Sequence, residues 1–185
     1  MSSKKYTAFV PLLLLPVAVL LTGCDVGAVA SDSSDQATEK SAKTSEKAVE
    51  KGLLPDWVPS GGTNVKLVQR NSGPERIFVM DYAAELDVPQ CVPLNIPGKP
   101  TEQELARAYA SDSRTMNIDP DEMSRTRTLE ADWWPASTES KTTDFCGRFW
   151  VHQEDGRIYA FTPDTKAAVK SVLQERAQRE KDENK

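Results

Sequence analysis

A single histidine, four tryptophans, three cysteines and 28 acidic side chains are the residues of this 185-residue chain with chemistry to offer. His152 would need a nucleophile and an orienting acid beside it to act as a general base. Glu154 shares its strand face, an arrangement that a simple cross-strand polar pair explains better. There is no Gly-x-Ser-x-Gly elbow, phosphate loop or His-Glu-x-x-His. Glycosidase chemistry needs two acids that meet in space, and nothing in the sequence singles out a pair. A zinc site wants four ligands, and one His without a Cys-x-x-Cys does not supply them. Asp119-Pro120-Asp121-Glu122 lacks the spacing and the glycine of a calcium loop and reads as a solvated helix start. No catalytic residue, metal ligand or cofactor is assigned. The tryptophans point to binding instead, since Trp is enriched at contact surfaces, although core filling is its more frequent use. Trp133, Trp134 and Trp57 are the candidate ligand-binding residues. Neighbours on an extended chain point to opposite faces, so at most one of Trp133 and Trp134 is expected outside.

The start of the chain sets the context for these residues. Lys4 and Lys5 precede a nearly unbroken apolar run from Ala8 to Leu21, the layout of a secretory signal peptide. The run is shorter than the roughly 20 residues of a membrane span and carries Pro11 and Pro16. It ends in Leu21-Thr22-Gly23-Cys24, which resembles the lipobox of bacterial lipoproteins. The resemblance implies a diacylglyceryl group on the Cys24 thiol, cleavage before it by a type II signal peptidase, and a mature chain held to the extracytoplasmic face of the bacterial cell membrane. Two acyl chains hold stably where one binds marginally, at about 0.8 kcal/mol per buried CH2.

With residues 1–23 removed, two lysines leave and the mature chain keeps 21 basic and 28 acidic side chains, a net charge of −7. No Lys/Arg cluster offers a phosphate-binding surface, which argues against nucleic acid. With Cys24 lipidated, Cys91 and Cys146 remain, and outside the cytoplasm such a pair reads most simply as a disulfide. Two buried thiols are the alternative.

Residues 24–52 contain no aromatic side chain and read as a disordered tether, with a root-mean-square span of roughly 30 Å. Leu53-Leu54-Pro55-Asp56-Trp57-Val58-Pro59 opens a single domain over 53–175, and 176–185 reads as a frayed polar tail. Asn64–Arg70 and Arg76–Tyr82, separated by Asn71-Ser72-Gly73-Pro74, predict an antiparallel pair covered on both faces. Thr101 and Glu104 form a capping-box pattern that opens a helix to about Ser111, with Leu105, Ala108 and Tyr109 inward. Phe145 to Phe161 predicts a hairpin turning on Asp155-Gly156, with Glu154 facing Arg157, His152 facing Tyr159 and Trp150 facing Phe161. A last helix runs from Thr162-Pro163-Asp164 to about Arg179 and buries Ala168, Val169, Val172 and Leu173.

The expected fold is therefore α+β, a small antiparallel sheet of two hairpins with one central helix and a C-terminal helix. The Leu-Pro-x-Trp-x-Pro opening, the strands and the Cys pair resemble small uncharacterised lipoproteins of high-GC Gram-positive bacteria over residues 53–161, a likeness that implies no activity. Two functions are carried forward. One is a membrane-anchored, non-enzymatic binding or accessory module for an envelope protein or glycan. The other is a small secreted hydrolase whose carboxylates assemble only in the fold.

Overall fold

A computed structural model describes residues 33–185. The expectations placed on residues 1–32, including the signal peptide, Cys24 and its lipobox, lie outside the described residues.

The described residues form a mixed α+β fold. Its strands are β1 (Ala37–Thr44), β2 (Thr63–Arg70), β3 (Arg76–Asp81), β4 (Cys91–Pro93), β5 (Asp144–Cys146), β6 (Phe149–Glu154) and β7 (Arg157–Thr162). The helices are α1 (Ser45–Glu50), α2 (Glu102–Ala110) and α3 (Lys166–Glu183). The strands make one antiparallel sheet in the order β1-β2-β3-β7-β6-β5-β4. Both expected hairpins are present and lie side by side, joined where Arg76 to Asp81 of β3 pairs with Thr162 to Arg157 of β7. The β6–β7 register places Glu154 opposite Arg157, His152 opposite Tyr159 and Trp150 opposite Phe161, as the Asp155-Gly156 turn requires. The sheet is larger than two hairpins. β1 extends it on one side, and β5 and β4 extend it on the other.

Alternation along the central strands sends one set of side chains to each face. Ile77, Val79, Trp150, Tyr159 and Phe161 pack with Leu105, Ala108 and Tyr109 of α2 and with Met123, Leu129 and Trp134. Phe78, Met80, Val151, Ile158 and Ala160 pack beneath Ala48 of α1 and the Leu54–Val58 segment. Each fully buried Val, Ile or Phe contributes about 1.5–3 kcal/mol, so a sheet covered on both faces draws its stability from two layers. α2 begins as its sequence predicts. Thr101 accepts from the Glu104 backbone N–H, and the Glu104 carboxylate accepts from Thr101 in return.

Three expectations need correction. Residues 37–50 lie in the segment read as tether, yet they form β1 and α1. β1 needs little apolar area to form, because one side of its backbone is paired along a ladder from Ala37↔Arg70 to Thr44↔Thr63 while the other side is the sheet edge. The segment before it is anchored by charge. Asp35 meets Arg70, Arg176 and Arg179, while Glu175 accepts from Ser33 and Ser34. The same contacts explain the second correction, since α3 continues to Glu183 through the expected frayed tail. The third concerns the inward stripe of α3, where Val169 and Val172 are buried but Leu173 is 51% exposed.

Cys91 and Cys146 form a disulfide across the β4–β5 ladder, where they are direct register partners. No helix among the described residues is long and apolar enough to cross a membrane.

Candidate functional site

The register that pairs β1 with β2, β2 with β3 and β3 with β7 also aligns side chains across one sheet face. Ser41 opposes Lys66, Lys66 opposes Val79, and Val79 opposes Tyr159. Tyr159 lies beneath Trp134 in an edge-on contact, ring centroids 5.9 Å apart, and Trp134 in turn meets Trp133 at 6.1 Å. Trp134 is buried and donates its indole N–H to Glu139 at 3.2 Å. Trp133 is half-buried and donates to Glu39 of β1 at 3.2 Å. The adjacent pair thus divides into one inward and one outward ring.

Trp133 walls an open groove of about 720 Å³ whose floor includes Val79. Lys43 of β1, Lys66 of β2, Lys47 of α1 and Lys51 just after it line the groove together with Arg157. Asp81 is the one acid in the lining, and it is engaged by Arg157 at 3.1 Å and by the Asn64 amide at 2.6 Å. None of the four lysines makes an ion pair among the described residues. Five cations against one engaged acid give this groove a positive potential on a chain of net charge −5. The chemistry available here is recognition: a flat aromatic face beside exposed ammonium donors.

Comparison of the chain with protein-family models, with curated proteins and with solved structures finds no match. The site must be read from its own residues.

Trp57 is not part of this groove. It packs on the other sheet face against Phe78 and Phe149, with centroids 6.0 and 5.8 Å away. The three candidate tryptophans therefore mark two separate places. His152, expected on a half-exposed strand, is only 4% exposed and stacks on Tyr159 with centroids 5.2 Å apart. Burial pushes its imidazole below the usual range against the pull of Glu154, whose carboxylate is 3.6 Å away. Glu154 is itself held by Lys141. Neither ring nitrogen has a hydrogen-bond partner, so no nucleophile is poised beside it among the described residues.

Two buried carboxylates, Glu75 and Asp164, lie near each other, and Asp164 is held above its ordinary range by burial first and also by the charge of Glu75, but both are tied into structural hydrogen bonds. Glu75, fully buried, spends its oxygens on the Thr128 and Leu129 backbone N–H groups, the Thr128 hydroxyl and Arg70. It braces the β2–β3 turn to the loop beneath. Asp164 accepts from the Thr165 N–H at the start of α3. Among the described residues no group of three or more His, Cys, Asp or Glu side chains is placed to hold a metal ion.

The groove lysines escaped sequence reading for a definable reason. Lys43 and Lys47 look like a repulsive i, i+4 pair on one helix, but the chain passes from strand to helix between them at Thr44, and both then face the same cavity. A like-charge pair straddling a Thr N-cap is the signal that was there.

Proposed function

We propose that the chain is a lipid-anchored, non-enzymatic binding module on the extracytoplasmic face of a bacterial membrane, with the groove beside Trp133 as its contact surface for an acidic glycan or protein of the envelope. The lipobox-like Leu21-Thr22-Gly23-Cys24 supports the address. The observation that carries the binding role is the half-buried Trp133 standing over a groove lined by four lysines that make no ion pair among the described residues.

An indole face gives large contact area at small conformational cost, which suits a sugar ring or an apolar side chain. The four lysines give up no ion pair to the described residues when an anionic group arrives, and their shared field raises its local concentration and association rate. A ligand bound here would feel salt strongly, because the groove is open and its charges are screened over about 8–10 Å at ordinary ionic strength.

The test is crosslinking in intact cells followed by affinity isolation of the full chain with Cys24 retained, for the native sequence, Trp133→Ala and the double reversal Lys47→Glu/Lys66→Glu. A partner recovered reproducibly with the native chain and lost with both variants supports the reading. Recovery of no partner, or of the same partner at the same yield from all three, overturns it. Mass spectrometry of the mature N-terminus decides the anchor: a chain beginning upstream of Cys24 without lipid would remove it.

A further inference from the structure

A second cavity, independent of the groove beside Trp133, carries a more specific chemistry. Arg76 opens β3 and Asp81 closes it, so the two places are separated by about 17 Å along the strand at 3.3 Å per residue. This cleft, about 620 Å³, is bounded by Trp57, by Arg76, by Asp112 and Arg114 in the loop after α2, and by Arg148 in the β5–β6 turn. Gly147, at φ +58°, makes that turn and sets Arg148 at the cleft.

Arg148 is 1% exposed, yet its Nε and Nη1 have no hydrogen-bond partner. Its Nε lies 3.2 Å from the Asp112 carboxylate without the alignment of a hydrogen bond. The Arg76 Nε and the Trp57 Nε1 are also buried donors without acceptors. Buried donors are almost always satisfied, and a buried guanidinium without full pairing is costly. Here three residues around one cavity share the same deficit. Burial, reinforced by the neighbouring Arg76 and Arg114 charges, pushes the Arg148 guanidinium down to about 10 even with Asp112 and Asp164 opposing it. The cleft lining holds Arg76, Arg114 and Arg148 against Asp56 and Asp112, an excess of one positive charge.

We infer that the Trp57 cleft is an anion-binding site that takes one singly charged oxyanion, a carboxylate or a phosphodiester, between Arg148, Arg76 and Arg114, with the body of the ligand against Trp57. The guanidinium fork matches two oxygens of either group. A monoanion cancels the excess charge and supplies the acceptors that the donors lack. The Trp57 indole N–H offers a further donor to the same ligand, and its half-buried ring offers a surface to whatever carries the charge.

The experiment uses the full chain and three probes at constant ionic strength: dimethyl phosphate, methyl glucuronoside, and neutral methyl glucoside as control. Tryptophan fluorescence and thermal melting are followed. A saturable response to the phosphodiester alone assigns that group, one to the glucuronoside alone assigns the carboxylate, and the neutral sugar gives none. Arg148→Met and Arg114→Gln each weaken binding at least about tenfold, the loss expected for a hydrogen bond to a charged group. Arg148→Met leaves the ligand-free melting temperature unchanged or higher, since a well-packed apolar replacement of a poorly paired buried charge is tolerated. Arg114 is exposed, so Arg114→Gln decides the matter even if Arg148→Met fails to fold. Trp133→Ala leaves this binding intact, which separates it from the groove. Absence of a saturable response to both anions, or unchanged affinity in Arg114→Gln, overturns the assignment.

Discussion

Asp35 reaches Arg70 at 3.0 Å and so joins the segment before β1 to the end of β2. Arg176 and Arg179 of α3 meet the same carboxylate. Burial pushes the Asp35 carboxyl upward, but these three arginines outweigh it and hold the group at about 2. A carboxyl lowered on folding adds stability that is fully present above its unfolded value near 3.8 and disappears as pH falls towards 2. Asp35→Asn is expected to lower unfolding free energy at neutral pH by about 2–3 kcal/mol and to flatten the acid limb of the stability profile. Denaturant titrations at pH 7 and pH 3 check both; an equal loss at the two pH values would contradict the argument.

His152 shifts stability in the same direction, through burial instead of ion pairing and at a higher pH. Burial holds its folded value below 6.5, so the folded chain resists taking the proton that the unfolded chain accepts. Its contribution is fully present above pH 6.5 and is lost as pH falls below that value. Replacing it by Phe, which can still stack on Tyr159, should remove the decline that begins just below pH 6.5 while leaving stability at pH 8 within about 1 kcal/mol. Parallel pH series on the native chain and the variant would show it.

Reduction of Cys91–Cys146, or the double replacement by Ser, opens a link between residues 55 positions apart. The chain-entropy model puts the loss at up to about 4 kcal/mol. A denaturation midpoint that does not move on reduction would show that the β4–β5 ladder holds without it.

Val172 and Leu173 are neighbours on α3 with different surroundings, 2% and 51% exposed. Val172→Ala should cost about 1–2.5 kcal/mol, whereas Leu173→Ala should stay within about 0.5 kcal/mol. Equal effects would mean that the helix sits rotated from the position described.

What the sequence disclosed and what it hid follow from which force shapes each element. The β2–β3 and β6–β7 hairpins, the capping box at Thr101 and the inward face of α2 were legible because turn chemistry and apolar spacing are local signals. β1 was not, since its order comes from pairing with a strand some twenty residues on and from ion pairs to a helix near the other end of the chain. Leu173 misled for a related reason: helical spacing defines a stripe but not its rotation, which the sheet beneath decides. Trp133 and Trp134 could be ranked as one in, one out, yet only the fold sets Lys43, Lys47 and Lys66 beside the outer ring and sends Trp57 to a different cavity.

The polarity that disguises β1 as linker has a consequence of its own. β1 and β4 are the two outermost strands, and an open edge is a template for pairing with a neighbouring molecule. β1 carries Glu39, Lys40 and Lys43 along that border, while β4 is three residues long and closes on Pro93, which has no N–H to offer. Both borders therefore discourage strand addition, and neighbouring copies of the chain keep their sheets from fusing into aggregates.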